Sequence, residues 1–135
     1  ARRNATATRV TVHQCDAARA LPEFDGLADL VVANPPYLPD SDRDLVDPEV
    51  RDHDPAAALW GGPDGLDGPR MVEAAARRLL RPGGLVAVEH ADHQGLAVAG
   101  IFGESGGWEH VVVRQDLAGR DRFVTARRAQ SRRAQ

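Results

Sequence analysis

The sequence contains no lysine; its 17 basic side chains, histidines aside, are all arginine. It has a single cysteine, Cys15, which excludes an intramolecular disulfide and makes a cytosolic setting the expectation. Aromatic residues make up only 4%, and no apolar run approaches the roughly 20 residues that span a bilayer. The N-terminus shows no signal-peptide pattern, so no membrane partner is expected. Positive charge is not in excess either: the net charge of −3 argues against direct binding of nucleic acid. The one methionine is Met71, and the opening ARRNA reads as the last turn of a helix. The chain is therefore read as trimmed, or as a piece of a longer one.

What is present is an ordinary globular composition, with 42% hydrophobic and 27% charged residues over 135 positions. One domain is expected over residues 1–127, followed by a basic tail, 128–135, that frays into solvent. RVTVHQCD, residues 9–16, alternates β-branched and polar side chains as a strand does. ADLVVA, residues 28–33, is a continuous apolar run, which suits a strand buried on both faces in a parallel sheet. Residues 38–55 hold seven acidic side chains and three prolines without an apolar period. They read as a long loop, with a turn of helix around Asp47 to Arg51, and such loops are usually functional.

DGPRMVEAAARRLLRPGG gives the clearest helix. Asp67 can cap it, Pro69 fits its first turn, and Met71, Ala75 and Leu79 share a face with Val72, Ala76 and Leu80 beside them. Pro82-Gly83-Gly84 reads as its stop. GLVAVEH is then a strand, HQGLAVAGIFGESG a helix, and WEHVVVRQD and RFVTARR an antiparallel hairpin joined by LAGRD. The alternation of strands and helices implies an α/β fold.

Several familiar sites are excluded. Asp40, Asp42 and Asp44 begin like a calcium loop, but its glycine and terminal glutamate positions hold Leu45 and Arg51. GGPDGLDG follows no strand and lacks Gly-Lys-Ser/Thr, so it reads as a turn and helix start, not a phosphate cradle. The five histidines have no zinc spacing, and no metal is expected. Asp16 ends a strand. It could accept from an adenine amino group or a ribose in a ligand crevice, or it could cap the next turn.

Asn34-Pro35-Pro36-Tyr37 ends the following strand, on the same side of the sheet. The prolines stiffen the backbone and remove two donors. The Asn34 side-chain oxygen and the Pro35 carbonyl can together accept both hydrogens of one planar –NH2, and Tyr37 supplies a flat wall. An amide nitrogen or an exocyclic base amine is a poor nucleophile because its lone pair is delocalised. Holding both N–H bonds aims it without a strong base.

At these residues the chain resembles the class I S-adenosylmethionine-dependent methyltransferases, and among them the protein-(glutamine-N5) methyltransferases of peptide chain release factors. The long segment after the turn is similar too, with Glu49, Val50, Asp54, Pro55, Ala58, Leu59, Gly61, Gly62, Asp64, Gly65 and Leu66 filling the family's places. GGLVAVEHADHQG resembles the family's strand end with its Gln-Gly, and DLAGRDRFV its closing hairpin.

The resemblance implies a Rossmann-like sheet, mostly parallel with a C-terminal antiparallel hairpin, whose seventh strand lies between the fifth and sixth. It implies that Asn34, Pro35 and Tyr37 are catalytic, that Asn34 and Pro35 hold the glutamine amide of a release factor's Gly-Gly-Gln loop, and that Pro36 and Tyr37 shape the pocket. It implies S-adenosylmethionine as methyl donor and S-adenosylhomocysteine as product, with Asp16 and Ala17 at the adenine and Asn34 near the sulfonium. The role of Glu89 is left open between packing and the cofactor.

The family's glycine-rich first motif and its first two strands would lie upstream of Ala1. The isolated chain is therefore expected to bind cofactor poorly and turn over little. Strand 9–16 would lack its neighbour, leaving unpaired edges through which chains could self-associate. Two other readings remain: an N-methyltransferase of exocyclic amines in RNA or DNA, and a non-catalytic binding module.

Overall fold

The computed structural model describes residues 8–47, 49 and 55–130. Four strands form one sheet: β1 (Ala28–Ala33), β2 (Leu80–Glu89), β3 (Trp108–Gln115) and β4 (Asp121–Arg128). Their spatial order is β1-β2-β4-β3. β1 and β2 run parallel, while β4 is antiparallel to both β2 and β3. The last strand thus inserts between its hairpin partner and β2, which is the arrangement the resemblance implied. Among the described strands the sheet is mixed, with the parallel β1–β2 pair followed by the antiparallel C-terminal strands, as a truncated Rossmann-like sheet would be.

Among the described residues three α-helices accompany the sheet: the short α1 (Ala56–Leu59), α2 (Asp67–Leu79) and α3 (Gly95–Ser105). The period-two pattern of β2 and β4 turns Val86, Val88, Val124 and Ala126 to one face, all fully buried. Val72 and Ala76 of α2 and Val98 and Phe102 of α3 complete that core. Phe102 packs edge-on against Trp108 with ring centroids 5.1 Å apart. Full burial of such a side chain contributes about 2–3 kcal/mol. Glu73 is buried beside them because its carboxylate accepts from Ser105 Oγ at 2.7 Å and Trp108 Nε1 at 2.8 Å.

Three local expectations are corrected. Residues 9–16 carry a strand pattern but form no ladder among the described residues. Alternation selects the faces of a strand, and only a hydrogen-bonding neighbour makes one. Thr11 and His13 instead line a cavity of about 470 Å³ with Leu30, Val31 and Val32 of β1. Leu30 and Val32 are 53% and 71% exposed.

The second correction concerns the end of α2, which stops at Leu79, before Pro82-Gly83-Gly84. Leu80 is already extended and pairs with Ala28, and the register then shifts, so the proline and glycines sit in an irregular stretch of β2. Third, Asp67 is the first residue of α2, not its cap, and its carboxylate pairs with Arg70 at 3.1 Å. The helix turn expected at Asp47–Arg51 lies largely outside the described residues. Arg128, expected to begin the basic tail, is the last residue of β4.

Candidate active site

β1 ends at Ala33 because the next backbone units cannot extend a ladder: Pro35 and Pro36 have no N–H. The chain then bends past Tyr37 to Leu38, which re-pairs in parallel with Trp60 beyond α1. Leu38 N–H donates to the Leu59 carbonyl at 3.0 Å, and Gly61 N–H donates to the Leu38 carbonyl at 2.8 Å. The acidic loop is tied back by Arg43, which pairs with Asp40 at 2.9 Å and lies over the Trp60 ring at 4.4 Å.

This folding leaves a cavity of about 180 Å³ lined by Asn34, Pro35, Tyr37, Leu38, Ala58 and Leu59. A second cavity of about 280 Å³, lined by Val32, Ala33, Asn34, Ala87, Glu89 and Phe123, lies on the other flank of Asn34. Asn34 is exposed, whereas Pro35 is buried. Among the described residues neither the Asn34 side chain nor the Pro35 carbonyl has a protein hydrogen-bond partner. Two oxygen acceptors of the turn therefore remain unspent beside the cavity.

The rest of the turn is heavily tied. Tyr37 O–H donates to Glu89 Oε1 at 3.2 Å, which fixes the ring that walls the cavity. The contact gives Glu89 a role the sequence left open. Burial and the neighbouring Glu89 carboxylate raise the Tyr37 pKa above its ordinary value, with Arg122 opposing. The hydroxyl therefore keeps its proton at neutral pH. Gln94, 4% exposed at the start of α3, accepts from Ala91 N–H at 3.0 Å and donates to the Tyr37 carbonyl at 2.9 Å.

Asp16 takes the capping role: its Oδ1 accepts from Ala18 N–H at 3.0 Å and begins a short 3-10 turn, Ala17–Arg19. Neither cavity beside Asn34 is lined by Asp16 or Ala17. Asn34, Pro35 and Tyr37 line the smaller cavity, with Pro36 between them in the chain. Among the described residues no cluster of three His, Cys, Asp or Glu side chains could hold a metal ion.

No protein-family model matches the chain. Curated relatives do. A "Release factor glutamine methyltransferase" of Streptomyces coelicolor is 54% identical over 95% of this chain, and one of Mycolicibacterium smegmatis is 51% identical over 95%. The chain belongs to this methyltransferase family. It spans about half the length of those relatives, 46% of each. A Streptomyces pristinaespiralis relative, 46% identical over 84% of this chain and 39% of its own length, is named "4-amino-L-phenylalanine/4-methylamino-L-phenylalanine methyltransferase". Among solved structures, the antibiotic-resistance methyltransferase Kmr matches 87% of this chain and 57% of its own, at 17% identity and a TM-score of 0.47.

The sequence missed Gln94 as a site residue and missed the contact between the glycine-rich segment and the turn. Gln-Gly after a strand and a run of glycines were visible signals, but neither says which backbone it will touch.

Proposed function

We propose that this chain carries the amide pocket of a methyltransferase that modifies a release-factor glutamine at its side-chain nitrogen. One observation carries the reading: the Asn34 side chain and the Pro35 carbonyl stand unspent at the carboxyl end of β1, beside a cavity of about 180 Å³. Two acceptors on a stiffened turn suit the two N–H bonds of a primary amide. Holding both aims the nitrogen and stabilises positive charge that develops on it as its lone pair is drawn out of conjugation. Tyr37, anchored on Glu89, walls the amide plane and stays protonated, so it is not the base that takes the proton released on methylation.

S-adenosylmethionine, when bound, supplies a methyl carbon attached to a positively charged sulfur. The fit of Asp16 to its adenine is partial: Oδ1 is taken by Ala18 N–H, and Oδ2 has no hydrogen-bond partner among the described residues. The mixed naming of the relatives supports a second reading, in which the same acceptor pair holds an aryl amine. Incubating the intact enzyme with a release factor and labelled donor, then mapping the product by mass spectrometry, separates the two. The proposal expects one methyl group on the glutamine of the Gly-Gly-Gln loop. Labelling that survives replacement of that glutamine by alanine would overturn it.

A further inference from the structure

Four residues outside the cavity lining grip the backbone of the Asn34–Tyr37 turn. A Cβ on Gly61 would lie 2.9 Å from the Pro36 carbonyl oxygen, and one on Gly68 would lie 2.9 Å from Pro35 Cβ. Gly65, at φ 73°, presses on the Tyr37 carbonyl, and a Cβ there would also lie 2.7 Å from Gln94 Nε2. Only glycine allows this approach at positive φ. Gln94 completes the grip. Its amide spans three elements: Ala91 N–H beyond β2, the Tyr37 carbonyl at 2.9 Å and the Gly65 carbonyl at 3.5 Å. The buried amide thus exhausts both of its donor hydrogens on the turn and the glycine segment.

We propose that Gln94 is a positioning residue for methyl transfer. It fixes the Tyr37 carbonyl against the glycine segment and so sets the direction of the Asn34–Pro35 acceptor pair, without touching substrate. The inference rests on the amide-pocket reading above. The linkage is short: Tyr37 is two residues from Pro35, and Pro35 and Pro36 are rigid in φ. A turn released at Tyr37 therefore moves the acceptors as a body, and a 1 Å misplacement of a reacting group costs about 100-fold in rate.

The test uses Gln94→Met, which keeps the length and removes the hydrogen bonds, and Gln94→Glu, which sets an oxygen acceptor against the Tyr37 carbonyl. In the intact enzyme, at saturating release factor and donor, kcat is expected to fall about 10- to 100-fold in both, with donor Kd unchanged by calorimetry. Gln94→Glu should recover relative to wild type as pH is lowered, because the protonated carboxyl donates to Tyr37 again. Equal kcat in a folded Gln94→Met enzyme, or a Gln94→Glu deficit that does not change with pH, would overturn the proposal. Asn34→Ala serves as the control. If it remains active the amide pocket itself is wrong; if it is inactive while Gln94→Met is active, only the positioning role fails.

Discussion

Gly68→Ala separates stability from catalysis at this site. Gly68 is buried in the first turn of α2, where a Cβ would meet the Pro36 carbonyl oxygen and approach Pro35 Cβ to 2.9 Å. Ordinary carbon contacts lie at about 3.5–4.0 Å, so the turn or the helix must give by an amount on the order of 1 Å. Alanine favours a helix over glycine by about 1 kcal/mol, while overpacking costs about 1–3 kcal/mol. The net loss of stability is therefore at most about 2 kcal/mol, which a folded enzyme survives. Catalysis is affected more strongly, because the displaced atoms carry the acceptor pair. A shift of that size should lower kcat about 100-fold. Thermal unfolding and single-turnover methylation by the intact enzyme measure the two effects. A variant that loses stability yet keeps its kcat would refute the claim that the glycine contact sets the site.

Glu73→Ala removes the shared acceptor of Ser105 Oγ and Trp108 Nε1 and should cost about 3 kcal/mol, read from denaturant unfolding; a loss near zero would show that the network is not stabilising. Arg70 hydrogen bonds hold the Asp64 carboxyl below its ordinary pKa, and the Arg120 amide does the same for Asp116. Their contribution is complete above the ordinary aspartate value and is lost as pH falls through the depressed one, so Asp116→Asn should flatten the acid limb of the Tm–pH curve. With Leu30 and Val32 exposed along β1, the chain should self-associate in sedimentation velocity; a monomer at every concentration would contradict the expectation.

Much of the fold is legible because local chemistry and tertiary structure agree. ADLVVA forms the strand its apolar run predicts and pairs with β2, although Leu30 and Val32 are exposed where burial on both faces was expected, and the α2 stripe of Val72, Ala75 and Ala76 is the buried one. The hairpin of β3 and β4 follows from its turn residues. What failed depended on a partner in space. Residues 9–16 have the pattern of a strand, but without the neighbour they were expected to lack, they form no ladder among the described residues. Leu80 leaves the helix before the Pro-Gly-Gly stop because pairing with Ala28 competes for it. Within the site, the role proposed for Asn34 and Pro35 was readable because it lies in their own atoms. Gln94 and Gly65 were not, because their meaning is a contact with Tyr37 from far along the chain.

The central claim is that Asn34 and Pro35 accept the two hydrogens of one amide nitrogen. The most direct test is Asn34→Ala in the intact enzyme, assayed by kcat/KM for release-factor methylation alongside thermal stability. Asn34 is exposed and its side chain has no partner among the described residues, so stability should change by less than about 0.5 kcal/mol. Loss of one oriented acceptor should lower kcat/KM by about 100- to 1,000-fold. Near-normal methylation by a folded Asn34→Ala enzyme would contradict the account.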